Sequence, residues 1–400
     1  MLGDRIDYRL SNEAQQLERS MMRELLAYAV DPDILSLAGG LPPDENLPLF
    51  TLQESYERVL RQEGSKALQY GPPYAALRAW LADFMRQKDV HCKPEQIFIT
   101  NGNQQALYIL SRLFADRGDP VICESIVFTG TQQVTKGRGL KVLTVPTDLR
   151  DGVDVDALER RLSQTPHASM VVLIPDYHNP LSVSISIENR ARIAELAQRF
   201  GVPVVEDDAY SQLSFNGKAK PPIKAFDQSE FVFYLGSFSK MVSPALRLGW
   251  MVLPESLIPK ATVIRESIDL ETSTLTQRVV SDFLHHDHLE AHLNQLRQNL
   301  KAKYEALTSA LNQHMADYAS WTEPDGGLFV WLTLPPEKDA LALLPKAIEK
   351  KVIYIPGSVF AMDEQTKAQT RSAMRLNFSK LDISQFDEAL KRLASVIDHA

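Results

Sequence analysis

Seven short apolar runs between residues 95 and 253 constrain this chain more than any other feature: QIFIT, PVICE, KVLTV, MVVLIP, VPVVED, FVFYLG and GWMVL. Each is at most six residues long and most are rich in Val and Ile, the pattern of strands buried on both faces. The text between them has another period. In ENRARIAELAQRF, Ile193, Leu196, Ala197 and Phe200 fall at i, i+3, i+4 and i+7, which predicts a helix with one buried stripe. Alternation of the two predicts an α/β domain with a mostly parallel sheet flanked by helices.

Beyond about residue 290 the pattern changes. LEAHLNQLRQNLKAKYEALTSALNQH reads as a long charged helix, and GGLFVWLTL, VIYIPG and MRLNFS follow as strand-like runs separated by helices, so a smaller α+β domain is expected. The first forty residues hold one amphipathic helix and the breaker-rich loop ILSLAGGLPP. The expected division is therefore 1–45 for an N-terminal helix and arm packing with the small domain, 46–288 for the large domain, and 289–400 for the linking helix and small domain. A length of 400 residues suits two cores better than one.

Composition narrows the partners. Apolar residues make up 44% and charged residues 24%, no run is long enough to span a bilayer, and the polar start lacks a signal-peptide core, so the expectation is a cytoplasmic protein with no membrane partner. A formal charge of −8 argues against nucleic acid. Cys92 and Cys123 are too few for a disulfide framework and read as packing residues. HHDH at 285–288 runs on into polar helical text and reads as a solvated helix end rather than a metal site. A small molecule is the expected partner.

In open α/β sheets ligands sit beyond the carboxyl ends of the strands, which makes the residues after each run the ones of interest. After QIFIT comes NGNQQAL, where Gly102 permits a tight turn and the following helix would aim free N–H groups at an anion such as phosphate. After VPVVE comes DDAY, whose acids serve either as caps or as functional carboxylates. After FVFYLG comes SFSK, with Arg247 seven residues beyond Lys240. A lysine in such a turn is ordinarily solvated. Here Ser237 and Arg247 supply donors for a phosphate, and a Lys240 amine desolvated near other cations would be neutral enough to attack a carbonyl. Lysine, carboxylate and phosphate site together are what pyridoxal phosphate requires.

The chain is similar to the fold-type I pyridoxal-phosphate enzymes of the class I and II aminotransferases, and within them to the 2-aminoadipate, kynurenine and broad-specificity branch. The segments that carry the resemblance run from MRELL and ILSLAGGLP through LQYGPPYAALRAWLADF, ITNGNQQAL, VVEDDAY and GSFSKMVSPALRLGW to GGLFVWLTLP, IPGSVF and MRLNFS. It implies that Lys240 forms the Schiff base with pyridoxal 5′-phosphate and then shuttles the proton at the substrate Cα. Asp207 would pair with the pyridine nitrogen, Tyr210 and Asn179 with the ring's phenolic oxygen, and Phe128 would stack on the ring. Gly102, Asn103, Gln104, Ser237, Ser239 and Arg247 would cup the phosphate, with Tyr70 reaching across from the second subunit of a homodimer with shared active sites. Arg375 would grip the substrate α-carboxylate with a bidentate fork, Gly40 and Asn179 would line the substrate site, and Arg23 would meet a distal carboxylate or remain a solvated helix residue. The implied activity moves an amino group between an L-amino acid and a 2-oxo acid.

One segment departs from the family pattern. Where the family reads Asn-Pro-Thr-Gly, this chain reads NPLS, with Leu181 and Ser182 in place of threonine and glycine. The missing glycine predicts an altered backbone path beside the cofactor. His178, just before it, is a candidate for pocket chemistry or a loop hydrogen-bonder. The departure keeps another pyridoxal-phosphate reaction open as an alternative: decarboxylation, elimination, cyclisation or oxidation. A non-catalytic, cofactor-sensing regulator is the third reading, disfavoured by the acidic charge and by the short segment before GGLP.

Overall fold

All seven apolar runs become strands of one sheet: β1 (Ile97–Thr100), β2 (Pro120–Glu124), β3 (Lys141–Val145), β4 (Met170–Leu173), β5 (Val204–Asp208), β6 (Val232–Ser237) and β7 (Gly249–Val252). The computed structural model describes residues 9–11, 14, 15, 21, 25, 28 and 31–398. The order across the sheet is β1-β7-β6-β5-β4-β2-β3. Neighbours from β6 to β3 are parallel, while β7 runs antiparallel to both β1 and β6. Register then collects the site at one edge: Gly249 stands opposite both Thr100 and Ser237, and Asp208 opposite Gly236.

The helices form for local reasons. Ile187–Phe200 starts at Ser186, whose Oγ accepts from Asn189 N, and stops at Gly201 in the left-handed region, φ 62°. It buries Ile193, Leu196 and Ala197 against a cluster that includes Val171, Leu173, Val204 and Val232 of the sheet. On β6, Gly236 leaves room for the Trp250 ring, which a Cβ there would strike.

The second sheet is antiparallel and four-stranded, in the order Ser320–Trp321, Phe329–Thr333, Ala373–Asn377, Ile355–Pro356. The expected linking helix spans His288–Met315, so the boundary proposed at 288/289 falls in its first turn. The arm Leu35–Ser36 pairs in parallel with Val352–Ile353, and its Leu37 carbonyl accepts from Asn377 N at 2.8 Å. One apolar cluster, including Leu37, Trp250, Leu296, Trp331 and Leu376, joins arm, linking helix, second sheet and one face of the large sheet.

His285 and His286 donate from Nδ1 to the Ser281 and Asp282 carbonyls at 2.7 and 2.8 Å, which finishes the helix Thr274–His285. Burial pushes the Cys92 and Cys123 thiols up, to about 11 and about 12, consistent with packing roles. Among the described residues no helix is long and apolar enough to cross a membrane.

Candidate active site

The common edge of β1, β5, β6 and β7 opens into a cavity of about 400 Å³, closed on its far side by Arg375 of the second sheet and Gly40 of the arm. One wall begins where β1 turns into the helix Asn103–Phe114. Gly102 caps that helix at φ 84° and ψ 174°, a backbone state closed to most side chains. A Cβ there would also lie 3.0 Å from Arg247 Nη2. Arg247, itself left-handed at φ 47°, donates from Nη2 to Asn101 O at 3.0 Å and so lies across the turn. Close packing repeats at Gly249, where a Cβ would come within 2.9 Å of the Gly102 Cα. The helix N-terminus therefore faces the cavity with Asn103 and Gln104, beside Ser237, Ser239 and Arg247.

Lys240 sits in the short helix Phe238–Met241 that follows β6. Its Nζ donates to the Gly40 carbonyl at 2.7 Å and has no carboxylate partner among the described residues. Burial, reinforced by the charges of Arg375 and Arg247, lowers its pKa to about 8. At the end of β5, Asp207 accepts from Asn103 Nδ2 at 2.5 Å, and burial raises its pKa to about 6. Tyr210 accepts at its hydroxyl from Asn179 Nδ2 at 3.1 Å, and burial pushes it up to about 12. The other end of the same amide, Oδ1, accepts from Arg375 Nη1 at 2.7 Å. Asn179 thus joins the two sheets.

Arg375 is only 1% exposed. Its Nη2 donates to the Ala38 and Gly39 carbonyls at 2.7 and 3.1 Å, its Cζ lies 4.2 Å from the Phe329 ring centroid, and its Nε has no partner among the described residues. Burial lowers its pKa to about 10. A buried guanidinium whose Nε–H is unpaired at a cavity wall suits a carboxylate. Phe128 also lines the cavity, its ring packed against Gly130, whose carbonyl accepts from Gln104 Nε2 at 3.1 Å.

Most of the residues singled out by sequence line this cavity: Asn103, Gln104, Phe128, Asn179, Asp207, Tyr210, Ser237, Ser239, Lys240, Arg247, Arg375 and Gly40. Gly102 stands behind the wall and lets Arg247 close on it. Tyr70 is 80% exposed and does not line the cavity of its own chain. Arg23 lies outside the described residues. Leu41, Thr129, Gln133 and Ile174 also line the cavity, and sequence pattern does not single them out. Ile174 directly follows β4, so the strand-end rule points to it, but an apolar residue gives no chemical reason to stop there. At NPLS, where a change of path is expected, Ser182 itself adopts a left-handed backbone, φ 59°.

The aminotransferase class I and II family matches residues 32–393. The chain belongs to that family. It is 34% identical to aromatic-amino-acid aminotransferase 1 of Thermococcus litoralis over 98% of this chain and 95% of that one. The structure of kynurenine aminotransferase from Pyrococcus horikoshii, in complex with PMP, superposes with a TM-score of 0.91 at 33% identity, covering 98% of this aminotransferase and 97% of the other. An alpha-aminoadipate aminotransferase from Thermus thermophilus, complexed with N-(5'-phosphopyridoxyl)-L-leucine, gives a TM-score of 0.88 at 33% identity over 98% and 97%. This aminotransferase has the residues for the same class of cofactor: a cavity amine with a lowered pKa, a strand-end carboxylate, and a helix N-terminus flanked by two serines and an arginine.

Proposed function

We propose a residue-by-residue division of labour for the transamination this family performs with pyridoxal 5′-phosphate. When bound, the cofactor supplies an electron sink that lets the substrate Cα release a proton. Lys240 Nζ takes that proton from the donor amino acid and returns one to Cα of the new amino acid made from the 2-oxo acid. Asp207, ionised, holds a proton on the pyridine nitrogen. Tyr210 and Asn179 bind the ring's phenolic oxygen, Phe128 packs on its face, and Asn103, Gln104, Ser237, Ser239 and Arg247 hold the phosphate on the turn made possible by Gly102. Arg375 holds the α-carboxylate through Nε and Nη, next to Gly40. The observation that carries this reading is the convergence of Lys240, Asp207 and Arg375 on one cavity.

Single-turnover spectra of the holoenzyme with a panel of amino acids test it. The expected outcome is conversion to the pyridoxamine form with release of a 2-oxo acid; release of carbon dioxide or uptake of oxygen instead would overturn it. Borohydride reduction and peptide mapping should label Lys240 and no other lysine. The same panel, run with Arg23→Ala, reads the part of Arg23: a loss confined to acidic substrates, on the order of 2–5 kcal/mol, supports pairing with a distal carboxylate.

The proposal extends to a homodimer with shared sites. Tyr70 projects into solvent from a stretch of chain that also exposes Leu49, Phe50 and Leu68, which are 68, 78 and 66% accessible. In the dimer Tyr70 completes the partner's phosphate cup. Sedimentation at micromolar concentration should give twice the 45.0 kDa chain mass; a monomer that still retains cofactor fully would refute it.

A further inference from the structure

Ser182 occupies a position where the backbone favours glycine, φ 59°, and it is buried, 4% exposed. The loop around it is closed on itself: His178 N donates to Val183 O at 2.8 Å and Ser182 N to His178 O at 2.6 Å. Its hydroxyl does something a glycine cannot. Ser182 Oγ donates to the Phe329 carbonyl at 2.5 Å, across 147 residues of sequence. In the second sheet Phe378 N donates to Leu328 O, so the ladder bonds to the Ala373–Asn377 strand fall on Leu328 and alternate residues, and the Phe329 carbonyl turns away from that strand. Ser182 is its donor.

The two ends of this bond belong to two of the groups that hold Arg375, beside the Ala38 and Gly39 carbonyls of the arm. On one side the loop carries Asn179, whose Oδ1 takes Arg375 Nη1 at 2.7 Å. On the other, Phe329 lays its ring 4.2 Å from the guanidinium. A shift of the Phe329–Thr333 strand relative to the loop would move the ring and the amide apart and let the guanidinium turn between them.

We propose that Ser182 is a positioning residue for the carboxylate clamp: its hydroxyl ties the Asn179 loop to the Phe329 strand and fixes the orientation in which Arg375 meets a substrate α-carboxylate. This rests on the reading of Arg375 as that clamp. The residue spends backbone ease on a bond that glycine would not make, and the bond reaches the substrate through Arg375.

Half-reaction kinetics of the holoenzymes with L-phenylalanine and with 2-phenylethylamine, the same molecule without its carboxylate, test the proposal. Ser182→Gly relieves the left-handed backbone and removes the hydroxyl, whereas Ser182→Ala keeps the backbone demand and removes the hydroxyl. Both should weaken apparent binding of L-phenylalanine by about fivefold to tenfold, the value of one hydrogen bond, with maximal rate within about twofold and 2-phenylethylamine unchanged. Melting should separate the pair, glycine above alanine, because only alanine retains the strain. Equal weakening of both compounds, or of neither, overturns the proposal. Arg375→Leu is the control on the underlying reading. If it loses the preference for the acid over the amine while the Ser182 variants keep it, the positioning role alone fails; if Arg375→Leu keeps the preference, the clamp reading fails and the Ser182 role with it.

Discussion

Asp207 and Asp208 are neighbours on β5, and the alternation of a strand sends them into opposite surroundings. Asp208 accepts from Lys88 Nζ, Ser211 Oγ and Tyr234 OH, each at 2.7 Å, and from Ser211 N at 3.0 Å. Burial alone would raise its pKa, but the charge and hydrogen bond of Lys88 outweigh that and hold it below the ordinary carboxylate range. Asp207 has a single donor among the described residues, Asn103, and burial wins. The lysines divide in the same way. Lys88 meets a carboxylate and two hydroxyls, while Lys240 meets one carbonyl and feels two guanidinium charges. On the Lys88 side amine and acid have found each other within the chain, so the network is structural. On the Lys240 side acid and amine are kept apart, each with bonding capacity left for another molecule.

The largest test of that contrast is Lys240→Ala. Turnover should fall about 10³-fold or more, the range for losing a positioned acid–base group, while urea unfolding shows stability retained or raised, because a desolvated amine has been removed. Lys88→Ala should do the converse. It leaves Asp208 buried and unpaired, and the expected loss is about 3–5 kcal/mol of unfolding free energy, with turnover per folded site largely kept. A folded Lys88→Ala protein without turnover would break the comparison.

The smallest effect is in the pH dependence of the cofactor-free protein. Asp207 rises from 3.8 to about 6 on folding, so the folded state binds more protons in that window, and its contribution to stability is lost as pH climbs through it. Asp208 has the opposite sign. Its folded pKa lies below 3.8, so its contribution is present above that value and is lost as pH falls through the folded pKa. Unfolding curves of the wild type set against Asp207→Asn and Asp208→Asn should therefore diverge with opposite slopes; slopes of one sign would show that the two acids share an environment.

Much of this was legible in the residues because it depended on local pattern. The seven runs identify the seven strands through length and β-branched content, and SFSK and NGNQQAL announce their roles by position after a strand. What escaped depends on contacts distant in sequence. DDAY shows two acids, yet nothing near them reveals that Lys88, 120 residues earlier, takes Asp208 and leaves Asp207 to the cavity. The reversal of β7 was covered only by the expectation of a mostly parallel sheet, since its apolar run reads the same in either direction. Ser182 hides its contact for a related reason. The missing glycine is legible at the turn, and the bond from Ser182 to Phe329 lies 147 residues away.

The arm has a consequence for how the protein comes off the ribosome. Its Ala38 and Gly39 carbonyls are bonded by Arg375, 337 and 336 residues later, and Leu35 pairs with Val352. Contacts of such separation form late, after the intervening chain exists. A nascent chain interrupted before Ala373 already holds every residue of the sheet edge, Lys240 and Asp207 included, but lacks the guanidinium that would orient a substrate there. Reactivity and selectivity are thus separated in the order of synthesis, and the amine is made first.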